Sequence, residues 1–180
     1  MSPQRPPPGG IDPRVDAYLG IGSNLGDRLA NLQDAVSGLS AEAGVLVTAS
    51  SRVWETDPVG GPPQPDFLNV VVAVRTELEP LAFLAACQRV ESAMGRVRDV
   101  RWGPRIVDID IELIDDLELG DEALTVPHPR MTQRAFVMLP LLELDPYLVL
   151  PSGVRLVDVP LGPDAAGGAR PFAPPLRVST

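Results

Sequence analysis

Apolar positions along this chain switch between a period of two and a period near 3.6, and each switch marks an element. Ala17, Leu19 and Ile21 alternate as a first strand, after which Leu25, Leu29, Leu32, Val36 and Leu39 recur at helical spacing. Residues 44 to 54 (GVLVTASSRVW) are β-branched and alternating, and residues 67 to 76 (FLNVVVAVRT) put Leu68, Val70, Val72 and Val74 on one face, so both read as strands. Pro80 suits the first turn of a second helix running to about Gly95, with Phe83, Cys87, Val90 and Met94 as its buried stripe. Gln88 and Glu91, three apart, share a different face of that helix. A fourth strand, 106 to 114, alternates Val107, Ile109, Ile111 and Leu113 against Asp108, Asp110 and Glu112. A third helix is expected over 135 to 144, kinked or restarted at Pro140.

The order β-α-β-β-α-β predicts an α+β fold, a ferredoxin-like sandwich in which helices pack on an antiparallel sheet. Residues 16 to 159 form its single domain. Residues 1 to 15, with five prolines, and residues 160 to 180 lack periodic apolar positions and read as disordered or loosely docked tails.

Composition narrows the chemistry. All fifteen basic residues are arginine, so no lysine serves a P-loop, a kinase-type ATP site or a Schiff base. A net charge of -9 argues against gripping nucleic acid through its phosphates, so any anion site must be local. No apolar run reaches the roughly 18 residues of a membrane span and the N-terminus is unlike a signal peptide, which leads to the expectation of a cytoplasmic protein. The lone Cys87 cannot form an internal disulfide and reads as core.

Three stretches could carry function. GIGSNLG (20 to 26) superficially resembles a dinucleotide fingerprint, but its spacing is not G-x-G-x-x-G and no acidic residue follows a second parallel strand; a tight turn with Asn24 or Asp27 capping the helix is preferred. Asp108 and Asp110, two apart on a strand, share a face with α-carbons roughly 7 Å apart. Hard oxygen ligands so placed suit Mg²⁺, which is typically held by one or two carboxylates together with substrate phosphates. Such a pair alone is equally an ordinary polar strand face. Beside it, however, Arg89, Arg96, Arg98, Arg101 and Arg105 crowd into seventeen residues, and a cationic loop next to a metal site suggests polyphosphate. The only histidine, His128, lies between two prolines that hold the backbone extended and help aim the imidazole, although a lone histidine is more often an ordinary residue.

Taken together, GSNLGDR, ETDPVGGPPQPDFLN, GRVRDVRWGPRIVDIDIEL and LTVPHPRMTQRAFV resemble the 6-hydroxymethyl-7,8-dihydropterin pyrophosphokinases of the folate pathway, over about residues 16 to 160. The resemblance implies transfer of pyrophosphate from ATP to a reduced pterin, giving AMP and the pterin diphosphate; the expected partners are those two substrates, with no nucleic acid, no membrane and a monomeric state. It implies two Mg²⁺ ions on Asp108 and Asp110, and triphosphate-binding arginines at Arg96, Arg98, Arg105 and Arg134, with Arg96 and Arg105 stabilising developing charge. Further ATP contacts fall on Gln88, Glu91, Trp102, Ile111, Thr125 and His128. The pterin pocket falls on Thr56, Val59, Phe67, Asn69 and Phe136, the two rings sandwiching the base while Asn69 reads its polar edge. The arginine-rich loop and residues 60 to 66 read as mobile lids. Ile106, Trp54 and Glu112 depart from the family pattern.

Two other functions use the same features. A ferredoxin-like nucleotidyl transferase or cyclase also employs paired aspartates, usually from separate strands, and releases pyrophosphate rather than AMP. A non-catalytic binding module on this fold would bind ATP without turnover.

Overall fold

The computed structural model describes residues 15–58, 62–95, 104–162 and 168–178. Its framework is the antiparallel arrangement expected. Strand β1 (Val15–Ser23) leads to helix α1 (Arg28–Ala41), then β2 (Val45–Ser50), β3 (Val53–Thr56), β4 (Phe67–Thr76), helix α2 (Pro80–Ala93) and β5 (Asp108–Ile114). The short strands β6 (Leu119–Gly120) and β7 (Thr125–Val126) pair with each other, helix α3 spans Ala135–Leu144 and β8 Arg170–Ala173. The main sheet runs β5-β1-β4-β3-β8, with β2 also paired to β4. The strand expected over 44 to 54 is therefore two strands: Ser51 interrupts it, donating its backbone N–H to Val71 O and accepting the Val71 N–H on its hydroxyl.

Both faces of the sheet are covered, which is why central β4 is buried almost throughout. On one face Leu19, Ile21, Val70, Val72 and Val74 pack with Leu32, Val36 and Leu39 of α1 and Phe83, Cys87 and Val90 of α2. The two helices touch closely: a β-carbon on Gly38 would stand 2.9 Å from Val90 Cγ1. Cys87 is fully buried, and desolvation followed by the Glu91 charge pushes its thiol up to about 12, so it is an inert core side chain. On the opposite face Val71 and Leu113 pack with Val137, Met138 and Leu141 of α3. Pro140 lies inside α3 and is buried rather than ending it.

Leu113 departs from the alternation expected for β5. The β1–β5 register jumps from Leu19↔Ile111 to Tyr18↔Leu113, leaving Glu112 as an extra residue. This bulge turns Leu113 toward α3 while Ile111 and Ile114 stay with α1 and α2.

Residues 170–173, assigned by sequence to a C-terminal tail, form a strand on the outer edge of β3, and Leu176 beyond them is only 9% exposed. Among the described residues no helix is long and apolar enough to cross a membrane.

Candidate active site

Along the C-terminal end of β1 the strand is bare. Gly20 pairs with Val71 and with Asp110, and Gly22 pairs with Asn69 on β4 and with Asp108 on β5. Sequence reading placed these glycines in a tight turn, yet β1 continues through Ser23, and the turn starts at Asn24. The reason for glycine is space. A β-carbon at Gly22 would stand 3.0 Å from Asn69 Oδ1, and one at Gly20 would stand 2.8 Å from Glu112 Oε1. The two glycines thus form a floor without side chains, with an amide on one side and carboxylates on the other. An open cleft of about 520 Å³ lies over it.

On the carboxylate side, Asp108 is paired with Arg105 Nη1, and Asp110 Oδ2 accepts from Arg134 Nη1 at 3.5 Å. Both aspartates remain partly open to the cleft. Their strand is held from below by Glu91 of α2, only 3% exposed, whose Oε1 accepts the backbone N–H of Ile109 at 2.7 Å. The donating N–H belongs to the residue between the two aspartates, so Glu91 fixes the height of both.

Glu112 is buried at 1% exposure and lines the same cleft. Desolvation first, then the neighbouring Asp110 charge, pushes its carboxyl up to about 8, against the pull of Arg134. Near neutral pH it therefore carries a proton. His128 Nδ1 lies 3.9 Å from Glu112 Oε2, but burial and the cations Arg134 and Arg130 lower the imidazole to about 4. With both groups neutral this contact is not an ion pair. His128 Nδ1 instead accepts the Arg130 backbone N–H at 3.1 Å, which leaves the ring proton on Nε2. His128 follows a cis Val126–Pro127 bond.

On the amide side, Asn69 donates from Nδ2 to Thr56 Oγ1 at 2.8 Å, both groups being buried. Thr56 pairs with Phe67 across β3 and β4. Phe67 and Phe136 both border the cleft, and the Arg134 guanidinium lies 5.5 Å from the centre of the Phe136 ring.

Asn24 joins the two sides. Only 1% exposed, it accepts the Arg105 N–H on Oδ1 at 2.8 Å and returns its own backbone N–H to Arg105 O at 3.2 Å. Its Nδ2 donates to Gln64 Oε1 at 2.9 Å and to Pro65 O at 3.1 Å. Capping of α1 falls to Asp27, whose Oδ1 accepts from Ala30 N, rather than to Asn24.

Of the residues singled out from sequence, Thr56, Phe67, Asn69, Gln88, Glu91, Arg105, Asp108, Asp110, His128, Arg134 and Phe136 all border this cleft. Ile111 faces the core beneath α1 and α2, and Thr125 is exposed on β7; neither side chain borders it. Val59, Arg96, Arg98 and Trp102, and most of the arginine-rich loop, lie outside the described residues. Sequence reading missed Gly20 and Gly22 as the floor, Glu112 as a protonated wall and Asn24 as a tie. For Glu112 the one available signal was an acid next to Asp110 in an apolar strand.

A carboxylate-and-guanidinium wall facing an amide-and-aromatic wall across a bare strand, on a ferredoxin-like sandwich, defines a transferase that brings a polyanionic donor to a flat polar acceptor. The chain belongs to the 7,8-dihydro-6-hydroxymethylpterin-pyrophosphokinase (HPPK) family, whose model matches residues 18–146. It is 47% identical over 155 residues to the 2-amino-4-hydroxy-6-hydroxymethyldihydropteridine pyrophosphokinase of Methylorubrum extorquens, covering 79% of this chain and 98% of that one. The protein of the same name from Bacillus subtilis is 48% identical over 128 residues, covering 71% of this chain and 77% of that one. Among solved structures it resembles an HPPK-DHPS in complex with substrates, with a TM-score of 0.65 at 14% identity, over 82% of this chain and 43% of that one. At that identity the likeness concerns the fold, and the chain spans less than half of that protein.

Proposed function

We propose that this cleft transfers the terminal pyrophosphoryl group of ATP to the hydroxymethyl oxygen of 6-hydroxymethyl-7,8-dihydropterin, releasing AMP in folate synthesis. The supporting observation is the row Asn69–Gly22–Asp108 across three adjacent strands. It sets a group suited to reading a heterocycle and a group suited to holding a metal on either side of a residue with no side chain. ATP lies along α2, β5 and His128, and the pterin lies over β3 and β4.

The residues present fit a divalent cation. Asp108 and Asp110 offer hard carboxylate oxygens at the cleft, and among the described residues no cluster of three or more His, Cys, Asp or Glu is grouped to enclose a metal alone. That donor set suits Mg²⁺ sharing its coordination with phosphate and water, and two such ions would be held by these two aspartates and the triphosphate. When bound, the metal supplies neutralisation of phosphate charge.

Arg105 and Arg134 bind phosphate oxygens through charge-assisted hydrogen bonds, joined by Arg96 and Arg98 from the arginine-rich loop. Arg96 and Arg105 stabilise charge that develops on the transferring group. His128, neutral, donates from Nε2 to the nucleotide, and Gln88 and Trp102 add contacts to it. Asn69, oriented by Thr56, reads the polar edge of the pterin, and Phe67 and Phe136 stack on its faces. No strong general base is required, because phosphoryl-type transfer has a loose transition state in which positioning and charge neutralisation dominate.

Asp110→Ala is expected to abolish AMP formation from ATP, Mg²⁺ and the hydroxymethyl pterin while leaving the circular dichroism spectrum native. Full turnover in that variant would remove the metal assignment. Release of pyrophosphate in place of AMP would favour nucleotidyl transfer instead.

A further inference from the structure

Beyond the family's matched residues, the chain returns to the site. β8 pairs antiparallel with β3 through Val53↔Ala173, Trp54↔Pro171 and Glu55↔Arg170. From this strand the Arg170 guanidinium meets three carboxylates: Nε donates to Glu55 Oε2 at 3.1 Å, Nη1 to Asp57 Oδ1 at 3.0 Å and Nη2 to Asp66 Oδ2 at 2.8 Å. The position of these acids matters. Asp57 directly follows Thr56 and Asp66 directly precedes Phe67, and Thr56 and Phe67 are themselves a cross-strand pair. One side chain therefore grips both feet of the connection between β3 and β4, where the connection leaves the pterin side of the cleft. Arg28 reinforces the same point from α1, donating to Glu55 Oε1 at 3.0 Å and to Asp66 O at 2.9 Å, with its guanidinium 5.6 Å from the Phe172 ring centre.

Three carboxylates gathered at one place in a chain of net charge -9 repel one another unless cations lie among them. A single exposed ion pair contributes little, but one guanidinium shared by three acids forms a network and fixes geometry as well as charge. The strand does not depend on Arg170 to stay docked. Leu176 is buried and its N–H donates to Ser50 Oγ at 3.2 Å, while Gln33 exchanges hydrogen bonds with the backbone of Arg177.

We propose that Arg170 is a positioning residue for acceptor binding: the C-terminal strand is a clip whose guanidinium holds Asp57 and Asp66 together and so sets the spacing of Thr56 and Phe67 in the pterin pocket. The inference rests on placing the pterin at Thr56, Phe67 and Asn69. It acts on the acceptor and leaves the ATP side, built on α2 and β5, untouched.

The test compares Arg170→Ala, Arg170→Lys and Phe67→Ala with the full-length parent, measuring kcat, KM for each substrate and Tm. Arg170→Ala is expected to raise the pterin KM about five- to tenfold, the scale of losing one networked charge interaction. The ATP KM and kcat should stay within about twofold, because the Arg170 guanidinium bonds Glu55, Asp57 and Asp66 and not the Asp108–Asp110 pair. Lysine should restore only part of the loss, since an ammonium lacks the fork that spans three acids. Adding Asp66→Asn to Arg170→Ala should recover pterin affinity by relieving the repulsion, a coupling that a purely structural role would not give. If Phe67→Ala raises the pterin KM and Arg170→Ala does not, the clip is wrong and the pocket stands. If Phe67→Ala itself leaves the pterin KM unchanged, the pocket assignment fails. Equal losses for both substrates together with a lowered Tm would mean that Arg170 only supports the fold, and would overturn the proposal.

Discussion

Glu112 shows how far a side chain's setting can move it from its solution chemistry. Burial, which strips its water, and next the nearby Asp110 charge push its carboxyl in the folded chain up to about 8 from an ordinary 4.5. Among the described residues its Oε2 has no hydrogen-bond partner. The folded state therefore keeps a proton that the unfolded chain gives up above pH 4.5, so the group costs stability progressively as pH rises from about 4.5 to about 8. Glu112→Gln keeps the shape and removes the titration. In chelator, denaturant unfolding of the metal-free proteins should show the variant gaining on the parent between pH 6 and pH 8, by at most roughly 1.4 kcal/mol per pH unit. A parent and variant with parallel pH profiles would mean that Glu112 is ionised within the fold. Sequence could place this acid beside Asp110 but could not bury it, because the burial follows from the Tyr18–Leu19 register jump and from Gly20 leaving room for the carboxyl.

Among elements, the connections between strands matter as much as the strands. Asn24 holds the start of the β1–α1 turn against Arg105 and against Gln64 and Pro65, so the phosphate side and the pterin side share one buried amide. Asn24→Ala removes three side-chain hydrogen bonds and leaves the Arg105 N–H without its partner, at a cost of about 1–3 kcal/mol if that group stays dry. Expected are a kcat lowered by at least about tenfold and raised KM values for both substrates, the opposite split from Arg170→Ala. Stopped kinetics that left kcat intact would show that the tie is dispensable. The regular elements themselves were legible: alternation located β1, β4 and β5, and helical spacing located α1 and α2, because those elements bury one consistent face. The break at Ser51 and the strand β8 were not legible. Ser51 earns its gap through a partner twenty residues away on β4, and β8 is four residues with a proline, paired only because β3 offers an edge. The aspartate pair was readable from a period of two, whereas the bare floor depends on which strands flank β1, a matter of register.

Over the whole molecule the charge is lopsided in a useful way. The chain carries -9, yet Arg105, Arg130 and Arg134 converge on one cleft among Asp57, Glu91, Asp108 and Asp110, so a polyanion bound there would meet its cations locally while the acidic remainder of the surface repels it. Raising ionic strength from about 0.01 M to about 0.15 M shortens the screening length from roughly 30 to 8 Å and should raise the KM for ATP several-fold, while the KM for the uncharged pterin stays nearly flat. Equal salt sensitivity for both substrates would place the attraction outside the cleft. The sheet order carries a further implication. With β8 seated on it, β3 has no free row of backbone donors and acceptors, and Pro171 in β8 withholds an N–H from anything that tried to add on outside. Clipping of the C-terminus by a protease would uncover that row beside apolar Val53, and the shortened protein would be prone to self-association through sheet extension at the same stroke as it lost Arg170.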